Sequence, residues 1–246
     1  VAYQVYKKDQ DISYSFGVYP TIELLHHKVN TVRKILLHSK GMNNTGVDLI
    51  LDLCNKKGIA YEVNDKLIYK LTKKENCYAV GIFEKYNSLL MQGENHIILV
   101  NPSDMGNLGS IIRTMVGFGV TNLGIIKPAA DVFDPKVIRG SMGAVFKINI
   151  CEYEDIYEYR ARYNNNLYSF MLNSNRTLHS AVANPHENYT LVFGNESSGL
   201  DESYHELSTS LIIPHSSDID SLNLSVAVGI AIYHFSRVEH ALEMSL

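Results

Sequence analysis

Between Ile97 and Val116 the chain makes the passage that most constrains its fold. An extended apolar run, Ile97 to Val100, enters a glycine-bearing turn, and Asp104-Met105-Gly106-Asn107-Leu108-Gly109-Ser110-Ile111-Ile112-Arg113-Thr114 follows. Leu108, Ile111, Ile112, Met115 and Val116 recur at i, i+3, i+4, i+7 and i+8, the stripe of a helix with one buried face. Gly109, Arg113 and Gly117 fall four apart on another face. A cation between two glycines sits where backbone or a ligand can come close. A strand that leads directly into such a helix begins a βαβ unit.

The alternation continues to the end of the chain. Strands are expected at 96–101, 122–126, 145–150, 167–172, 189–193 and 210–213, and helices near 107–118, 134–140, 152–163, 201–207 and 222–239. That order predicts a mostly parallel sheet covered on both faces. Such sheets bind ligands beyond the carboxyl ends of their strands. The loops at 101–107, 173–180, 194–200 and 214–221 are therefore expected to share one edge.

The first third reads differently. Residues 1–14 are polar and are expected to fray. Tyr19 to His27 reads as a helix, Val32 to Leu37 as a strand, and Thr45 to Lys57 as a helix capped by Asn44 or Thr45 and closed by Gly58. Ile59 to Val63 is a strand, Asn64 caps a helix through Leu71, and Tyr78 to Phe83 is a strand. This makes a small α/β unit, and the polar stretch from Tyr86 to Asn95 reads as a linker. The expected domains are 1–90 and 95–246.

Composition narrows the setting. The 246 residues are 46% hydrophobic and 20% charged, an ordinary globular balance. Val1 in place of Met points to a processed or trimmed start, and no secretory signal is seen. The apolar stretch Leu222 to Phe235 holds Asn223, Ser225 and His234 and is too short to span a bilayer. Cys54, Cys77 and Cys151 stand far apart, which suits a reducing, cytoplasmic compartment. Net charge is −4, unevenly divided: residues 1–95 carry 13 Lys/Arg against 10 Asp/Glu, and residues 96–246 carry 9 against 16. The pairs Lys7-Lys8, Lys56-Lys57 and Lys73-Lys74 make the first part the better candidate for a polyanion footprint.

Several chemistries are disfavoured. There is no GxxxxGK[ST], no GxSxG and no CxxC. Gly117-Phe118-Gly119 lacks the third glycine of a dinucleotide fingerprint and suits a helix end. His179, His186, His205 and His215 are scattered, and His26-His27 cannot share one helical face, so no metal is expected.

Two more segments share the character of the first. Leu191-Val192-Phe193-Gly194-Asn195-Glu196-Ser197-Ser198-Gly199-Leu200 is a buried strand ending in a glycine-bounded loop with a carboxylate at its centre. Leu211-Ile212-Ile213-Pro214 is a strand stopped by proline, after which Ser221 or Asn223 caps a long apolar helix. Each alone is an ordinary βα turn or N-cap. Together, at successive strand ends, they describe one site.

Together these residues resemble the SPOUT class of RNA methyltransferases, in the TrmH/SpoU branch. Asn107-x-Gly109-x-x-x-Arg113 is similar to the first family motif, and Gly194-x-Glu196-x-x-Gly199-Leu200 to the second. Ile213-Pro214 with Ser221-Leu222-Asn223-Leu224-Ser225-Val226-Ala227 is similar to the third. Arg139-Gly140-Ser141-Met142-Gly143-Ala144 resembles a further family stretch. More weakly, the first part, with Gly17-Val18 before its first helix, resembles the ribosomal-protein-like α/β domain often fused to this family. Asn76-Cys77-Tyr78 departs from the His-x-Gly often seen before that domain's last strand.

The resemblance implies an α/β fold whose C-terminal parallel-sheet domain carries a trefoil knot, and a homodimer. It implies S-adenosylmethionine held at Leu172, Asn173, Gly194, Ile213 and Leu222, and methylation of a ribose 2′-hydroxyl in RNA. Arg113 is placed beside that hydroxyl, as base or as electrostatic stabiliser. Asn107, Glu196, Ser221 and Asn223 orient it, with Glu196 available for a bidentate pair to its guanidinium, and Arg139 and Arg113 bind RNA phosphate. Ribosomal RNA is favoured over tRNA. The competing readings are a tRNA 2′-O-methyltransferase, a catalytically silent RNA-binding protein of the same fold, and a small-molecule enzyme using Glu196 as base.

Overall fold

The computed structural model describes residues 3–181 and 187–243, with side chains to 236. The chain divides into two compact units. One comprises Val1–Tyr86 and Asp131–Lys147, the other Asn87–Ala130 and Ile148–Leu246.

In chain order the first unit begins β1 (Ile12–Phe16), α1 (Val18–His27), β2 (Val32–Leu37), α2 (Thr45–Lys57), β3 (Tyr61–Val63), α3 (Asp65–Thr72) and β4 (Ala79–Glu84). Its sheet runs β1-β4-β2-β3, antiparallel except for the β2–β3 pair. Strand β1 begins within the stretch expected to fray. Ser13 and Ser15 hid it, because both are fully buried: Ser13 Oγ donates to the Phe133 carbonyl, and Ser15 Oγ bonds Thr21 and accepts the Gly81 N–H. The α2 cap is Asn44, whose side chain accepts the Gly46 N–H, and Gly58 closes that helix at φ +67°.

The second unit holds β5 (His96–Val100), α4 (Met105–Gly117) and β6 (Asn122–Ile126). Helix α5 (Pro135–Gly140) belongs to the first unit. The second unit resumes with β7 (Asn149–Tyr153), α6 (Ile156–Arg160), β8 (Asn166–Phe170), β9 (Tyr189–Phe193), α7 (Tyr204–Leu207), β10 (Thr209–Leu211) and α8 (Leu224–Glu243). Its sheet runs β10-β8-β9-β5-β6-β7 with every pairing parallel. Parallel strands buried on both faces need continuous apolar runs, and β9, Tyr-Thr-Leu-Val-Phe, is buried throughout. Gly124 in β6 is required by space: a Cβ there would lie 2.3 Å from Ile98 Cδ1.

Two expectations need correction. The strand drawn at 145–150 is displaced: Ala144–Lys147 is a 3-10 turn with Val145 and Phe146 buried, and the strand follows at Asn149–Tyr153. The boundary near residue 90 also assigned 131–147, with Arg139, to the second domain, whereas this segment packs into the first unit. Phe133 meets Phe83 edge-on, Asp131 accepts from Tyr6 and Lys85, and Gly143 (φ +80°) would bring a Cβ within 3.0 Å of the Pro20 Cα. Apolar contact and a shielded ion pair, which periodicity does not reveal, set that membership.

Candidate active site

A cleft of about 690 Å³ opens in the second unit beyond the carboxyl ends of its strands. Three stretches form its walls: 170–173 after β8, 193–200 from the end of β9, and 211–213 with 220–224 between β10 and α8. Asn107, from the first turn of α4, lines it too, as do Glu202, His215 and Ala227. The five residues expected at a cofactor, Leu172, Asn173, Gly194, Ile213 and Leu222, all line this cleft. Asn107, Glu196, Ser221 and Asn223 line it as well.

The loop after β9 is folded tightly on itself. The Gly199 N–H donates to the Asn195 carbonyl at 3.0 Å, and Gly199 has φ +67°. A Cβ on Gly194 would sit 2.2 Å from the Gly199 carbonyl carbon, so no side chain fits there. Asn195 organises the turn: its Nδ2 donates to the Asn101 carbonyl at 2.6 Å, and its Oδ1 accepts from the Ser197 N–H and hydroxyl. Asn101 itself takes φ +51° at the end of β5, a conformation asparagine tolerates.

Glu196 is thereby brought to the start of α4, a helix that is not its own. Its carboxylate accepts from the Ser103 hydroxyl at 3.1 Å, the Ser103 and Asp104 N–H groups at 3.4 and 3.3 Å, and Asn107 Nδ2 at 3.3 Å. Asp104 caps the same helix, accepting the Asn107 N–H at 2.7 Å. Two carboxylates at one helix start are favoured by its dipole and by its unpaired N–H groups. Partial burial pushes the Glu196 carboxyl up. Hydrogen bonds from its own backbone N–H, Asn107, Ser103 and the Asp104 N–H outweigh that and hold it below the ordinary glutamate value.

The third segment joins the same chain of bonds. Asn223 Nδ2 donates to Asn107 Oδ1 at 2.9 Å, while Asn223 Oδ1 accepts the Ser225 N–H and hydroxyl and so caps α8. Of the two caps the sequence left open, Asn223 holds the position. Asn107 thus receives from Asn223 and donates to Glu196, and one continuous path links all three segments.

Arg113 stands apart. It is exposed, it does not line the cleft, and none of the described ion pairs involves it. The expected Glu196–Arg113 bidentate pair is not made, because the Glu196 oxygens are taken up by Ser103, Asp104 and Asn107. Arg113 lies six positions after Asn107, ~9 Å of helical rise. Helical side chains lean toward the N-terminus, which here is the cleft end of α4. Arg139 lies in the last turn of α5, in the first unit. Ser103, His205 and Glu202 were not anticipated as site residues. Ser103 has no periodicity or motif to mark it, and its role arises from the turn that joins β5 to α4.

Among the described residues no group of His, Cys, Asp and Glu could hold a metal ion. No helix there is long and apolar enough to cross a membrane.

Fold and site define a class: an open parallel α/β domain whose ligand cleft is built from strand-end backbone, with a polar relay at its mouth. Residues 94–233 match the SpoU rRNA Methylase family, and the chain belongs to that family. It is 26% identical over 147 residues to an uncharacterised tRNA/rRNA methyltransferase of Synechocystis, covering 59% of this chain and 54% of that protein. The chain therefore spans about half the length of that relative. It is 24% identical over 195 residues to the 23S rRNA (adenosine(1067)-2′-O)-methyltransferase of Streptomyces azureus, covering 75% and 72%. The AdoMet-bound rRNA methyltransferase of Sinorhizobium meliloti superposes with a TM-score of 0.78 at 25% identity, covering 92% of this chain and 87% of that one.

Proposed function

We propose that this chain transfers the methyl group of S-adenosylmethionine to a ribose 2′-hydroxyl of RNA, with ribosomal RNA as its substrate. The observation that carries the reading is the Glu196–Asn107–Asn223 path at the mouth of the cleft, which ties the three family segments into one polar site. The ribosomal preference rests on what the Streptomyces and Sinorhizobium relatives are named for. The name of the Synechocystis relative allows tRNA as well.

The cleft fits the cofactor. Its volume suits a ligand of nucleoside-plus-amino-acid size, and the bare Gly194 backbone beside Gly199 leaves room for close approach. Leu172, Asn173, Gly194, Ile213 and Leu222 would hold it. When bound, it supplies an electrophilic methyl group on a sulfonium. The protein's task is then to align the ribose oxygen, exclude water and stabilise the charge that develops on that oxygen. Arg113 is suited to stabilisation, since a guanidinium offers five donors and no acceptor. Asn107, Asn223 and Ser221 orient the ribose and its phosphate, and Glu196 fixes Asn107 in the required direction. Glu196 is a positioning residue here, because the α4 start already occupies its carboxylate.

The same reading includes the knot, the dimer and the RNA grip. Strand β10 lies at the sheet edge, yet the chain beyond it returns to the sheet centre, where Asn223 meets Asn107 and α8 meets α4. That path past the 194–200 loop supports a trefoil knot. Helix α8 buries Val228, Ala231, Ile232 and Phe235 but exposes Val226, Ile230 and Tyr233, with Tyr233 beside exposed Phe118. A second apolar stripe of this kind supports a homodimer. Exposed Lys7, Lys8, Lys56, Lys57, Lys73 and Lys74 support RNA binding by the first unit, with Arg139 adding a phosphate contact. Three buried, free cysteines support a cytoplasmic setting.

The test is transfer of labelled methyl from S-adenosylmethionine to purified ribosomal RNA and, in a parallel reaction, to purified tRNA, followed by digestion to nucleosides. Label on ribose supports the proposal. Label on a base, or label in tRNA alone, overturns it.

A further inference from the structure

At one wall of the cleft lies a polar cluster in which His205 and Glu202 have no role assigned so far. His205, on α7, bonds Ser210 Oγ through Nδ1 and Asn173 Oδ1 through Nε2, both at 3.0 Å. Asn173 Nδ2 donates to Glu202 Oε1 at 2.8 Å, and Glu202 Oε2 stands 3.5 Å from His205 Nε2. Asn173 and Glu202 line the cleft, whereas His205 does not.

The bonding assigns every role in the cluster. An amide oxygen only accepts, so His205 Nε2 carries a proton and donates to Asn173. In the neutral ring Nδ1 is then bare and accepts from the Ser210 hydroxyl. The Asn173 side chain is committed at both ends, so what Asn173 offers a ligand is its backbone. Ser174 belongs to the same assembly: its hydroxyl donates to the Ser210 carbonyl at 2.9 Å. The imidazole therefore bridges the turn after β8 and strand β10. Each runs directly into a wall of the cleft, 170–173 on one side and 211–213 on the other.

We propose that His205 is a positioning residue for the cofactor cleft. Through Asn173 and Ser210 it holds the Leu172–Asn173 backbone at a fixed distance from the Leu211–Ile213 backbone, and so sets affinity for S-adenosylmethionine and not the rate of methyl transfer. The inference rests on the cofactor reading given above.

Calorimetry with S-adenosylhomocysteine tests it on the full chain without any turnover. His205→Ala is expected to weaken binding about tenfold. His205→Gln, whose terminal amide can still donate to Asn173 Oδ1, is expected to recover most of that loss. In steady state, His205→Ala should raise KM for S-adenosylmethionine while kcat and the KM for RNA stay near wild type. Should His205→Ala not fold, Asn173→Ala carries the same expectation of weakened binding, and wild-type affinity in that variant overturns the proposal. Wild-type affinity in His205→Ala, or a fall in kcat with KM unchanged, also overturns it. A wild-type protein that takes up no S-adenosylhomocysteine overturns the cofactor reading, and this inference with it.

Discussion

Glu196 shows how one side chain serves local stability and the site together. Its carboxylate accepts from two backbone N–H groups, a hydroxyl and an amide, all at the start of α4. Because these bonds hold its folded carboxyl below the ordinary value of 4.5, the stabilisation is complete above pH 4.5. It is lost as pH falls through the folded value. Glu196→Gln should therefore lower Tm at pH 7, and its Tm should converge with that of wild type as the buffer is taken toward pH 3. A constant gap across that range would remove the carboxylate's charge from the explanation. Turnover should show no Glu196-dependent inflection near neutrality, since the group stays ionised there. At this scale the sequence was partly legible. Glycine and carboxylate spacing mark Gly194, Glu196 and Asn107, but the partners of Glu196 are not readable from that spacing. Arg113 is the nearby cation in the sequence, whereas Glu196 accepts from the Ser103 hydroxyl, from Asn107 Nδ2 and from two backbone N–H groups, which every residue but proline carries.

At the scale of elements, α4 and α8 matter most, because their first turns face each other across Asn107 and Asn223. Both start where a side-chain oxygen accepts an early N–H: Asp104 for α4 and Asn223 for α8. Asn223→Ala removes a cap and the link to Asn107. A cap alone is worth ~1 kcal/mol, so chemical denaturation should show a loss of about that size. Methyl transfer should fall further than stability alone explains. An unchanged rate with the expected loss of stability would leave Asn223 a cap and nothing more. Long, strongly periodic helices were readable in advance: α2 falls at its expected limits, and α4 and α8 begin within two residues of theirs. Short elements were readable in part: β2, β6 and β9 fall at their expected limits and α5 within one residue of its own, but other short helices do not. The helices expected at 152–163 and 201–207 shrink to Ile156–Arg160 and Tyr204–Leu207. Flanking polar residues there satisfy turns as readily as helix, and packing against the sheet decides where each stops.

For the whole molecule, the division into units is the feature that composition nearly reached. The charge asymmetry was visible, but the stretch read as a linker, 86–95, belongs from Asn87 onward to the second unit, where Leu90 is buried, and the return of 131–147 to the first unit depends on Asp131 and Phe133 meeting residues far away in sequence. RNA affinity should fall steeply with salt. Lys73→Ala with Lys74→Ala should reduce the slope of log affinity against log salt by about 0.7–0.9 for each phosphate no longer neutralised. A slope unaffected by these lysines would move the RNA footprint elsewhere. Sedimentation should give a dimer for the wild type and a monomer for Ile230→Asp, which puts a charge on the exposed apolar stripe of α8. A wild-type monomer would contradict the dimer reading.

In the proposed function the cleft and its polar relay direct methyl transfer to one ribose oxygen. Mapping of 2′-O-methyl groups across ribosomal RNA, after reaction with purified protein and S-adenosylmethionine, tests it most directly. One new 2′-O-methyl position is expected with the wild type, and a rate roughly 10²–10³-fold lower with Arg113→Ala, the scale for losing a donor to a developing oxyanion. No new 2′-O-methyl group with the wild type, or an undiminished signal with Arg113→Ala, would contradict it.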